Sequence, residues 1–192
     1  MNLDILNLGY TQVNDINALE GMPLKALYLH YSKIDNISVL KNMPLEHLDL
    51  LGCQYLNDIS PLVDCKQLRR LSIPEHSKNI EFLRNLPNLE ILDCKLDASN
   101  SKQTAADFWK AWDAEHGKTA TPSSFQENRL STAQPSTPAV PAVDDATAEK
   151  MIKNAIEELK KKNPQVKDLK ASHKKTDIGW LLDLSRNSDL AD

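Results

Sequence analysis

Leu45-Glu46-His47-Leu48-Asp49-Leu50-Leu51-Gly52-Cys53 reads L-x-x-L-x-L-x-x-C. The same spelling stands earlier as Leu24-x-x-Leu27-x-Leu29-x-x-Ser32 and Leu3-x-x-Leu6-x-Leu8-x-x-Thr11. It continues as Leu68-x-x-Leu71-x-Ile73 and Leu89-x-x-Leu92-x-Cys94. The starts at 3, 24, 45, 68 and 89 are separated by 21, 21, 23 and 21 residues. The trailing half recurs too: Ile16-x-x-Leu19-x-x-Met22-Pro23, Ile37-x-x-Leu40-x-x-Met43-Pro44 and Ile59-x-x-Leu62. A fixed period carried by both halves is the signature of a repeat architecture, in which each unit is one supersecondary element.

The spelling is that of a leucine-rich repeat. The L-x-L piece alternates with period two and predicts a short strand with leucines inward and the intervening residues on the concave face. Thr11, Ser32 and Cys53 stand where a side chain can satisfy turn backbone groups. No single coil buries its leucines alone, so stacked neighbours share one core and stability is close to a nearest-neighbour sum. The fold class expected is an α/β repeat: a right-handed, curved leucine-rich-repeat solenoid with a parallel concave sheet over residues 3–97. The third coil carries one extra residue before Leu56, and the fourth reads Pro74-Glu75-His76-Ser77 at its turn, which predicts a looser loop before Ile80, Leu83 and Leu86 resume.

The array begins abruptly, with a strand already at residue 3 and no polar segment before it. Solenoids need caps, so the first coil is expected to present an open apolar end, capped by a missing segment or by self-association with a second copy. At the other end, residues 98–117 hold a candidate cap. Thr104-x-x-Asp107 is a capping box opening a helix from Ala105 to Glu115, with Gly117 as its stop. Ala105, Phe108, Trp109 and Trp112 share one face of it, as a lid over the last coil would require.

Residues 118–143, with Pro122, Pro135, Pro138 and Pro141 among Ser, Thr and Ala, read as a flexible linker. Residues 144–192 read as an amphipathic helix followed by the start of a second repeat array. The helix (144–163) has Ala148, Met151, Ile152, Ala155, Ile156 and Leu159 on one stripe, acidic residues early, Lys160–Lys162 late and Pro164 as its end. A strand pair is expected near Leu169–Lys174 and Trp180–Ser185. Leu190-x-Asp192 then repeats Val13-x-Asp15 and Leu56-x-Asp58.

The net charge of −4 gives no general pull towards nucleic acid. No apolar run approaches the roughly 18 residues of a membrane helix. No signal peptide is visible, so a complete chain is expected in the cytoplasm. Cys53, Cys65 and Cys94 form no C-x-x-C pair and read as core thiols. His30, His47, His76, His116 and His173 lack metal-ligand spacing, and no phosphate loop or G-x-S-x-G elbow occurs. The expectation is a chain without catalytic residues, cofactor or metal. Lining up the repeats gives three columns on the concave face: Ile5/Ala26/His47/Arg70/Ile91, Asn7/Tyr28/Asp49/Ser72/Asp93 and Gly9/His30/Leu51/Pro74/Lys95. Tyr28, His30, His47, Asp49 and Arg70 gather at their centre, and Tyr and Arg are favoured at binding hot spots. The face is either an ordinary solvated sheet or the footprint of a protein or peptide partner. A His47–Asp49 pair would lack a third ligand or a nucleophile.

These repeats resemble the short bacterial repeats of internalins, with Ile59-Ser60-Pro61-Leu62 and Met22-Pro23-Leu24 as typical phrases. Together with Ala105-Ala106-Asp107-Phe108-Trp109-Lys110 and Lys162-Asn163-Pro164, they also resemble large planctomycete-type proteins in which such arrays often follow a serine/threonine kinase domain. The resemblance implies a curved solenoid and protein–protein recognition. The alternative expectation, motivated by the uncapped start and the repeat interrupted at Asp192, is a fragment of a larger multidomain protein, such as a kinase, whose array senses or scaffolds. No G-x-G-x-x-G, H-R-D or D-F-G is present, so no kinase residue carries over.

Overall fold

Each L-x-L piece forms one short strand, and the coils stack because every leucine finds its counterpart one turn on. The computed structural model describes residues 3–95, 103–116, 145–164, 172–176 and 179–184. The expected linker and the residues after Leu184 lie outside that set. Strands β1 (Leu3–Asn7), β2 (Ala26–Tyr28), β3 (His47–Asp49), β4 (Arg70–Ser72) and β5 (Ile91–Asp93) pair in parallel, in sequence order. The registers Ile5↔Ala26↔His47↔Arg70↔Ile91 and Asn7↔Tyr28↔Asp49↔Ser72↔Asp93 reproduce two of the columns read from the spacing. The chain is a leucine-rich-repeat solenoid.

The core is continuous. Leu6, Leu27, Leu48 and Leu71 stack through the sheet, backed by Leu19, Leu40 and Leu62 from the short 3₁₀ turns that close the coils. Each such turn is set by the side chain just ahead of it: Asp15, Asn36 and Asp58 accept from the backbone N–H of Asn17, Ser38 and Ser60. Two of the side chains buried at the turns pair with backbone carbonyls. Thr11 Oγ1 donates to the Leu8 carbonyl at 2.7 Å, and Cys53 Sγ donates to the Leu29 carbonyl of the preceding coil at 3.1 Å. The fourth coil is held more firmly than its spelling suggests. The Ser77 N–H closes on Pro74 O, the His76 ring bonds the Leu56 carbonyl at 2.9 Å, and Ile80, Leu83 and Leu86 are buried as expected.

Cys65 donates to the Leu40 carbonyl at 3.2 Å, and burial pushes its thiol up to about 11 from the usual 9.0. The folded group holds its proton more tightly than the unfolded one. Its stabilisation is therefore fully present below pH 9 and lost as pH rises through about 11. The melting temperature should fall between those pH values, and Cys65→Ala should blunt the fall; superimposable parent and variant pH profiles would contradict this assignment.

Helix α1 (Ala105–Glu115) covers the last coil. The Asp107 N–H donates to Thr104 Oγ1 at 3.1 Å, and Thr104 Oγ1 donates back to the Asp107 carboxylate at 2.7 Å. Ala105 N–H bonds the Glu90 carbonyl, and Phe108 and Trp109 are buried. Arg84 clamps the lid, its guanidinium 3.9 Å from the centre of the Trp109 ring and 2.6 Å from Asp113.

The other end corrects the expectation of an uncapped first coil. Helix α2 (Asp145–Lys162) packs on the Asn17–Leu19 turn, and β7 (Gly179–Asp183) pairs in parallel with β1. Strand β6 (Ser172–Thr176) pairs antiparallel with β7, giving the sheet order β5-β4-β3-β2-β1-β7-β6. The strand pair exists, with its first strand further along the chain than the spacing suggested. The residues read as opening a second array, Leu184 apart, lie outside the described set. Among the described residues, no helix is long and apolar enough to cross a membrane.

Candidate functional site

The repeat places Tyr28 on β2, His47 and Asp49 on β3, and Arg70 on β4, all projecting to the concave side, with His30 in the turn after β2. Cross-strand partners on a parallel sheet lie about 4.8 Å apart, so all five residues form one patch. Tyr28 is directly opposite Asp49, and His47 opposite Arg70. Asp49 does two things: Oδ1 accepts from the Leu51 N–H at 3.0 Å, and Oδ2 lies 3.2 Å from His30 Nδ1. That last contact is close enough for an ion pair when the imidazole is protonated, though out of line for a hydrogen bond. The histidine beside Asp49 is thus His30, while His47 faces Arg70.

The electrostatics follow from partial burial. Burial and then the Asp49 charge push the Tyr28 hydroxyl above its ordinary value. Burial, then the adjoining Arg70 guanidinium, lowers His47, which favours the neutral ring with one nitrogen as donor and one as acceptor. Further along the same column Asp93 is raised by burial, with Asp49 adding to the effect and a 3.3 Å hydrogen bond from Ser72 opposing it. The patch offers a neutral tyrosine and imidazole between one acidic column and one arginine, which suits recognition of mixed polar and apolar side chains. Among the described residues, no group of His, Cys, Asp and Glu is arranged to hold a metal ion.

The patch extends beyond those five residues. Tyr10 and Tyr31 occupy the same position of successive coils, and both adopt left-handed backbone, φ 56° and 55°. Left-handed conformation costs roughly 1–2 kcal/mol at a residue other than glycine, and such outliers concentrate at functional positions. Here they stack the two tyrosine rings at 5.0 Å with planes 7° apart, and Tyr10 meets the His30 ring edge-on at 4.9 Å. Glycines make the room. A Cβ on Gly9 would lie 2.3 Å from the His30 ring, and one on Gly52, itself at φ 69°, would lie 2.6 Å from Tyr31. Tyr10 stays half exposed. The rim then continues past Gly52 into a hollow of about 470 Å³ bounded by Pro74, His76, Cys94 and Lys95. The signal for this rim was in the sequence, since Tyr10, Tyr31 and Gly52 are 21 residues apart, but only the backbone conformation shows that the rings turn onto one another.

No family model matches the chain. No curated protein is significantly similar. Among solved structures, the chain is similar to an internalin from Listeria monocytogenes, at 33% identity and a TM-score of 0.43 over 45% of this chain. The similarity spans 26% of the internalin chain, about a quarter of its length.

Proposed function

We propose that this chain is a non-catalytic recognition module that binds a protein or peptide on its concave face and the adjoining turn-side rim. The observation that carries the reading is the cluster of Tyr10, Tyr31 and His30. Two tyrosines hold unfavourable backbone, two glycines are cleared for neighbouring rings, and the result is a half-exposed aromatic ledge continuous with Tyr28, Asp49 and Arg70. Core packing gives no reason for an aromatic side chain at such a position, since an exposed left-handed turn is served at least cost by glycine, as at Gly52. Rigid aromatic anchors beside an arginine are what partner surfaces use for affinity.

The test is selection of peptides from a displayed library on the full chain, followed by affinity measurement with single variants. Tyr28→Ala and Arg70→Glu should each weaken a selected peptide by about 30-fold or more, the loss for a hot spot of roughly 2 kcal/mol. Val63→Ser, on the opposite side of the coil, should leave affinity unchanged. Peptides indifferent to both concave substitutions would place recognition elsewhere. The alternative, a sensing or scaffolding arm in a larger multidomain protein such as a kinase, would use the same face.

A further inference from the structure

The cover of the first coil is built from contacts that do not depend on the chain connecting it to the array. Strand β7 lies where the strand of a preceding repeat would lie: Leu181, Leu182 and Asp183 oppose Ile5, Leu6 and Asn7. The Leu184 N–H donates to the Asn7 carbonyl at 2.8 Å, the same bond that Leu8 makes to Tyr28, Leu29 to Asp49, Leu50 to Ser72 and Ile73 to Asp93. Leu182 and Leu184 are buried like Leu6 and Leu8.

A second set of contacts comes from the end of α2. Asn163 is fully buried. Its Oδ1 accepts from the backbone N–H groups of Asn14 and Asp15 at 2.8 and 3.1 Å. Its Nδ2 donates to the carbonyls of Asp15 at 2.9 Å and Leu159 at 2.8 Å. Leu159 and Ala155 are buried alongside. The first coil is therefore covered at its strand by β7 and at its turn by α2.

Helix α1, which packs on β5, ends at Glu115, and α2, which packs on the turn of the first coil, starts at Asp145. The intervening residues reach about 100 Å if extended, against the roughly 19 Å separating β5 from β1. Seating within one chain is easily spanned, and so is seating on a neighbour. A connection of this length corresponds to an effective concentration of about millimolar, which favours the single chain in dilute solution.

We propose that α2 and β7 form an exchangeable cap, which seats on the first coil of a second copy of this chain, in a reciprocal dimer, when it is kept from its own. Every contact named above is kept in the exchanged form, which is why swapping an element is a low-cost route to a dimer. The proposal is independent of what the concave face binds.

Deleting residues 118–143 leaves a connection that reaches about 14 Å, less than the roughly 19 Å between the strands of the two end coils. Light scattering after gel filtration should show the shortened chain at twice its own mass, while the full chain at micromolar concentration runs as a monomer. Adding Asn163→Ala to the shortened chain should abolish the dimer. A shortened chain that stays monomeric overturns the proposal. So does an association that Asn163→Ala leaves intact, because that would be adhesion of bared coils rather than exchange.

Discussion

Leu48→Asp should abolish the cooperative thermal melt of the array. Leu48 is the central residue of β3, only 2% exposed, with Leu27 on one side of it in the sheet and Leu71 on the other. Removing the side chain forfeits about 1.5–3 kcal/mol of burial. An unpaired carboxylate in its place adds several kcal/mol more, or stays protonated at comparable cost. The sum approaches the whole stability of a small domain, about 5–15 kcal/mol. Position adds to it. In a solenoid each coil contacts only its neighbours, so a broken third coil separates the array into halves of two coils, fewer than the roughly three repeats a stable stack needs. Circular dichroism followed with temperature decides this, and an unchanged transition would mean that β3 is not central to the core.

The features that could be read ahead of the coordinates share a physical origin. They arise where the determinant is local or is repeated at a fixed interval. The strand columns followed from the period because adjacent coils have nearly equal length, so residue n meets residue n+21 or n+23. The lid was legible because a capping box and an apolar stripe are contained within one helix. Among the proposed footprint residues, Tyr28, His47, Asp49 and Arg70 followed from the same columns. Two things were not legible. The tyrosine ledge depends on positive φ at Tyr10 and Tyr31, residue types whose ordinary preference is the opposite. The cap depends on contacts between residues nearly 150 apart, such as Asn163 with Asn14 at a separation of 149. No periodic signal spans that distance. The one available clue is that Leu182-x-Leu184 spells Leu6-x-Leu8, which identifies a repeat-like strand but not which coil it joins.

Asn163→Ala should release the cap while leaving most of the array folded. The amide satisfies two N–H groups and one carbonyl of the first coil together with the carbonyl of Leu159. Each buried backbone group left without a partner costs about 1–3 kcal/mol, so the loss should exceed what a cap held by one strand and one helix face can absorb. The consequence is local because coupling is nearest-neighbour. Amide exchange should accelerate by at least about a hundredfold, the equivalent of roughly 2.7 kcal/mol, at Leu184, whose N–H bonds Asn7, and at Leu182 in β7. Amides of β3 and β4 should change little. Asn163→Asp separates the two halves of the interaction, since it keeps an acceptor for Asn14 and Asp15 but loses the donor to Asp15 and Leu159. It should fall between parent and alanine. Were exchange instead to rise evenly from β1 to β5 in the alanine variant, the cap would be part of one cooperative unit with the array, and a separable cover on the first coil would no longer describe the molecule.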